Sequence, residues 1–202
     1  ELHSLRQACG GRNSRKAGKP TLEACLAATA IAMSMVMAGS GNLRCLRLLR
    51  VLRRRVDPEV SCGFHMALSM GMGFLFLGGG RLTLGTSNTA VAALLASIFP
   101  RFPSSTSDNR YHLQAFRHLY ALAAEARCLE AIDVETGQAA LVPIRVDMIS
   151  RAPSLKKVTP CILPPLNTIA RLHVESPRYW KRSLALSESG KNASILQRRI
   201  MW

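Results

Sequence analysis

Apolar residues run along this chain in long blocks rather than in alternation. Residues 22–38 are apolar and free of proline, with Thr21 as a candidate N-cap before them and Gly39-Ser40-Gly41-Asn42 as a break after them. Residues 43–55 carry leucines at helical spacing, and Asp57-Pro58 ends that run, because proline disfavours helix at the residue before it. The pattern then returns. Residues 62–77 are again small and apolar, Gly78-Gly79-Gly80 interrupts them, and residues 88–99 predict a further helix ahead of Pro100.

The recurrence is an internal repeat. An offset of 39 lays Met33-Ser-Met-Val-Met37 on Met72-Gly-Phe-Leu-Phe76, and Gly39-Ser-Gly41 on Gly78-Gly-Gly80. For the second helices an offset of 46 lays Asn42 on Asn88 and Leu48-Leu49 on Leu94-Leu95, so a seven-residue insertion falls around residues 81–86. A unit of helix, Gly-rich turn and helix cannot bury its apolar faces alone and must stack on neighbours. Gly39, Gly41, Asn42, Gly78, Gly79, Gly80 and Asn88 are therefore expected to be structural turn residues.

A Pro/Ser loop (residues 103–107) follows, and Asp108 is placed to cap a helix whose apolar residues Leu113, Phe116, Leu119, Tyr120, Ala123 and Ala124 recur at helical spacing. Beyond Arg127 the texture changes. Residues 129–134 and 140–147 read as strands around Glu135-Thr-Gly137-Gln, residues 150–168 as Pro-rich and irregular, and residues 169–174 as a short strand. The expected fold is mainly α: helical-hairpin repeats followed by a small β-rich appendix. The expected organisation is a disordered basic segment (1–20), repeats (21–126), a small β-containing region (127–180) and a truncated basic tail (181–202).

Composition agrees with stacked helices: 48% of residues are hydrophobic but only 5% aromatic. A net charge of +15 points towards nucleic acid or membrane surfaces until its distribution is read. Residues 1–60 carry 11 Lys/Arg against 4 acids, residues 61–148 carry 6 against 6, and residues 149–202 carry 10 against 2, so the most patterned third is neutral. Arg44, Arg47, Arg50, Arg53, Arg54 and Arg55 line most of one basic helix face whose partner the sequence does not name. No RNP sequence, zinc-finger spacing or basic-aromatic interleaving accompanies it, which disfavours nucleic acid. Six cysteines without a C-x-x-C pair, and a polar, basic start with no apolar core, fit a reducing nuclear and cytoplasmic setting and set aside the Asn192-Ala-Ser sequon.

Chemistry-bearing patterns are sparse. Asp108, His112 and His118, with Ser107, hint at a metal site or triad, but six residues of α-helix turn the two imidazoles to different faces. Gly78-Gly79-Gly80-Arg81 lacks the preceding strand and following Gly-Lys-Ser/Thr of a phosphate loop. The apolar runs at 22–38 and 62–77 fall at or below the short end of a bilayer span, which favours core helices over membrane hairpins. No catalytic, cofactor or metal residue is expected. Arg110, Arg117 and His118 are the candidate partner contacts.

Five runs carry a family resemblance: Met35-Val-Met-Ala-Gly-Ser-Gly-Asn-Leu43, Gly63-Phe-His-Met-Ala67 with Gly73-Phe-Leu-Phe-Leu-Gly-Gly-Gly-Arg81, Thr86-Ser-Asn-Thr89, and above all Asp108-Asn-Arg-Tyr-His-Leu-Gln-Ala-Phe-Arg-His-Leu-Tyr-Ala-Leu-Ala-Ala-Glu125. These resemble the proteasome/cyclosome repeats, and within them the large scaffold subunits of the anaphase-promoting complex, more than the proteasome base subunits. The resemblance covers about residues 21–147, weakens over 160–180, and implies a C-terminal fragment of a much longer chain that also has a β-propeller. It implies a non-catalytic scaffold for a cell-cycle ubiquitin ligase, with other ligase subunits and the coactivator as partners and no small-molecule substrate or cofactor. A proteasome-type scaffold and a membrane-embedded hairpin protein are the alternatives.

Overall fold

The structure, a computed structural model, describes residues 18–55, 60–150 and 152–185. The expectations for 1–17 and 186–202 lie outside those residues. The chain forms two compact units, Glu1–Ala124 and Glu125–Trp202, each described by itself.

The first unit contains α1 (Lys19–Val36), α2 (Leu43–Arg53), α3 (Cys62–Leu75), a short strand β1 (Leu82–Leu84), α4 (Asn88–Ile98) and a run of 3₁₀ turns (Asn109–Ala123). Helix α1 starts before the expected Thr21 cap. Its N-cap is Gly18, and Pro20 in the first turn supplies a ready-made helical φ without needing a hydrogen-bond partner for its nitrogen. Side chains cap the other helices: Asn42 accepts from Arg44 N and Cys45 N, Ser61 from Phe64 N, and Ser87 from Ala90 N.

Helix α3 is central, packing along α1 and against α2. By length and composition alone residues 62–80 could cross a membrane. In the fold Phe64, Ala67, Leu68, Phe74 and Leu75 are instead core residues of this unit, together with Ala30, Ile31 and Leu49. Small side chains let α1 and α3 approach closely. A Cβ on Gly71 would lie 2.8 Å from Ser34 Oγ, and Ser34 is fully buried with its hydroxyl donating to Ala30 O at 2.7 Å. At the start of α3, Glu23 Oε1 accepts from Ser61 N at 3.1 Å and from the Ser61 hydroxyl, placing a carboxylate where the helix dipole favours it.

The repeat is visible in the burial pattern. Cys45, Leu49 and Leu52 of α2 are buried, as are Ala90, Leu94 and Ser97 of α4, at an offset of 45 rather than 46. The cap equivalent to Asn42 is therefore Ser87; Asn88 is the first helical residue. The insertion is six residues long, and it contains β1.

The second unit is antiparallel. Strand β2 (Ala124–Ala126) runs across the division, and β3 (Cys128–Leu129), β4 (Ala131–Ile132), β5 (Ala139–Ala140), β6 (Pro143–Met148), β7 (Leu155–Val158), β8 (Cys161–Ile162), β9 (Ile169–Val174) and β10 (Ser183–Ala185) follow. Strands β10, β9, β6 and β7 form a four-stranded sheet in that order, Val146 pairing with Leu172 on one side and Leu155 on the other. The expected long hairpin is only β4 with β5, closed by Gly137 at φ +66°. The segment expected to be irregular supplies β7 and β8, and Ser183–Ala185, expected to be tail, is an edge strand. Val146, Ile144, Ile169 and Leu172 build the core beneath the sheet. Buried Thr159 ties it to the hairpin: its Oγ1 donates to Ala140 O at 2.8 Å and accepts from Val142 N at 2.9 Å.

Candidate functional site

The two Gly-rich turns do specific work in the first unit. Gly39 and Gly41 have φ of +73° and +58°, which only glycine adopts without strain. That backbone path directs Gly39 N–H to Phe74 O and Gly41 N–H to Leu75 O, both at 3.0 Å. The turn of the first helix pair thus satisfies carbonyls that the C-terminus of α3 would leave without partners. Gly78, Gly79 and Gly80 likewise have positive φ, and a Cβ on Gly80 would lie 3.5 Å from Gly39 O.

The segment Asn109–Ala123 departs most from expectation. Its 15 residues are 3₁₀ rather than α-helical, an uncommon length for that geometry. Burial follows the three-residue period: Gln114, Arg117, Tyr120 and Ala123 point inward, while His112, Ala115, His118 and Ala121 form an exposed row. Phe116, expected in the apolar stripe, is 53% exposed. The two histidines share a face after all, but a rise of about 2 Å per residue separates their backbones by roughly 12 Å. Among the described residues no cluster of three His, Cys, Asp or Glu is poised to hold a metal.

Arg117, expected at the surface as a partner contact, is inside the unit and only 7% exposed. Its Nη1 donates to Ser97 O at 3.1 Å, its Nη2 to Pro100 O, and its Nε to Gln114 Oε1 at 2.8 Å. The guanidinium lies 3.6 Å from the centroid of the Phe102 ring. A cation on Ser97 O, in the last turn of α4, opposes the helix dipole's negative end. Burial lowers its pKa from the ordinary guanidinium value. Gln114 completes the arrangement by donating to Arg110 O at 2.7 Å and Arg101 O at 3.1 Å. The sequence signal was available in the three-residue spacing of Gln114, Arg117, Tyr120 and Ala123. The acceptors, in residues 97–101, were not readable.

Asp108 caps the segment as expected. Backbone N–H groups of Ser104 and Arg110 donate to it, and they hold its carboxyl well below the usual carboxylate range, with smaller help from the Ser104 hydroxyl and Arg110 guanidinium. Arg110 is paired to it at 3.0 Å and half-exposed, whereas His118 is exposed. In the second unit an open groove of about 740 Å³ is lined by apolar Ile144, Leu172 and Trp180, and its rim carries both acids (Asp133, Glu135) and bases (Arg178, Arg182).

The first unit and the second match different parts of one family. Residues 2–125 match the domain described as APC1 fifth domain, and residues 127–201 the APC1 beta sandwich domain. The chain belongs to the anaphase-promoting complex subunit 1 family. Anaphase-promoting complex subunit 1 of Dictyostelium discoideum is 50% identical over 82% of this chain and 7% of its own length. The Homo sapiens subunit is 43% identical over 92% of this chain and 10% of its own length. A relative from Emericella nidulans named negative regulator of mitosis is 49% identical over 77% of this chain and 8% of its own length. The chain therefore spans about a tenth or less of these relatives. Family membership agrees with helices followed by small antiparallel sheets.

Proposed function

We propose that this chain is a segment of the non-catalytic scaffold of the anaphase-promoting complex, a cell-cycle ubiquitin ligase. The observation that carries the reading is the stitch from the Gly39 to Gly41 turn onto the end of α3, because it makes one helix pair complete only against the next. A chain built that way favours an extended repeat array, solenoid or toroid, of which the first unit contributes two helix pairs. On this reading residues 21–126 are repeats, and the β appendix that follows extends from residue 127 through the edge strand Ser183–Ala185. Its partners are other ligase subunits and the coactivator, its products are assembly and mitotic progression, and it works in the nucleus and cytoplasm. On this reading catalysis belongs to those partners.

Affinity purification of the full-length protein, with quantitative mass spectrometry of what accompanies it, tests this directly. Ubiquitin-ligase subunits at near-equal stoichiometry are expected. Their absence, or ubiquitin transfer by the purified protein alone, would overturn the proposal.

A further inference from the structure

Helix α2 exposes a face that no described residue of its unit covers. Cys45, Leu49 and Leu52 point into the core, and the exposed side of the helix and its C-cap carries Arg44, Arg47, Arg50 and Arg54, with Leu43 64% and Val51 45% exposed. None of these four arginines makes an ion pair with any described residue. The described acids of the unit are Glu23, bonded to Ser61, and Asp108, bonded to Ser104 and Arg110. Like charges three and four residues apart disfavour a helix. Arg50 near the C-terminus is favourable to the dipole, but Arg44 in the first turn, where no acid stands, runs against it.

The repeat supplies an internal control. At the offset of 45, Arg47, Arg50 and Arg54 correspond to Ala92 and Leu95 of α4 and its C-cap Phe99, which are exposed as well. The position therefore does not require charge for packing. A row of arginines costs the helix some stability and gains no ion pair among the described residues.

We infer that this face is a docking surface for an acidic protein segment carrying aliphatic side chains. Unpaired guanidinium groups select carboxylates by charge and by their two-pronged geometry. Exposed Leu43 and Val51 add the apolar contact that arginine-rich protein interfaces contain and that a phosphate backbone does not use. No aromatic side chain stands on this face to stack a base, and 11 residues of helix span only about 16 Å, room for few phosphates. The inference rests on the first unit alone and stands apart from the scaffold reading.

The test is fluorescence anisotropy on the intact full-length protein with two probes. One is a labelled 16-residue peptide of interspersed glutamate and leucine; the other is a labelled duplex DNA of equal charge. The wild type should bind the peptide more tightly than the DNA, with affinity falling as salt rises. Arg47→Glu/Arg50→Glu/Arg54→Glu should weaken peptide binding by at least about tenfold while the protein stays folded by circular dichroism, since the three side chains are exposed. Leu43→Ser/Val51→Ser should weaken the peptide several-fold and leave DNA binding as it was. Equal peptide binding by the charge-reversed protein would mean a merely solvated face. DNA binding as tight as peptide binding, with the Leu43/Val51 variant indifferent, would assign the face to nucleic acid and overturn the inference.

Discussion

Replacing Arg117 by alanine separates an internal brace from a docking residue. The substitution strips donors from Ser97 O and Pro100 O and removes the cation over Phe102. Each carbonyl left without a partner in a buried setting costs about 1–2 kcal/mol, and the lost ring contact about 1 kcal/mol more. Gln114 keeps its own donors on Arg101 O and Arg110 O, so its loss is small. The total is on the order of 3–5 kcal/mol, or roughly 6–20 °C in thermal midpoint for a chain of this length. Urea unfolding of the purified protein followed by circular dichroism reads the change. Arg117→Lys should recover only part of it, because an ammonium keeps the charge but not the planar fork. Stability within about 1 kcal/mol of wild type for Arg117→Ala, accompanied by weakened assembly, would refute the brace and restore Arg117 as a surface contact.

Gly79 has φ +68° and open space where a Cβ would sit, so Gly79→Ala should cost only the left-handed backbone strain, about 1 kcal/mol, and Gly79→Val somewhat more by thermal melting. Gly71→Ala drives a methyl to 2.8 Å from Ser34 Oγ and should cost about 1–3 kcal/mol, with much of that recovered in Gly71→Ala/Ser34→Ala because the hydroxyl is the clashing atom; no recovery would place the strain elsewhere. Thr159→Val keeps the shape but leaves Val142 N–H without its acceptor, so a loss of about 1–3 kcal/mol is expected in denaturant unfolding. Asp108 has a lowered pKa in the folded state, so its contribution is full above the unfolded value near ~4 and is lost as pH falls below it. Midpoints measured from pH 6 to pH 2 should fall more steeply for wild type than for Asp108→Asn, and parallel curves would contradict the capping role.

The sequence by itself determined what depends on near neighbours. Proline, glycine and capping side chains act on the backbone beside them, so the helices at 22–38, 43–55, 62–77 and 88–99 were legible to within a few residues of α1 to α4. The runs around Gly78 and Asp108 carried the family. Tertiary structure decided what depends on partners distant along the chain. Residues 109–123 spaced their apolar side chains in a way that fits both 3.6 and 3.0 residues per turn, and burying Arg117 on the Ser97 and Pro100 carbonyls goes with the tighter winding. The same winding turned Phe116 outward and put His112 and His118 on one row. Ser87 rather than Asn88 became the cap because the first turn of α4 is set by which side chain meets Ala90 N, a choice that two adjacent good cappers leave open. Leu155–Val158, with two adjacent lysines, has no strand pattern of its own and becomes one only because Pro143–Met148 offers it a row of backbone partners.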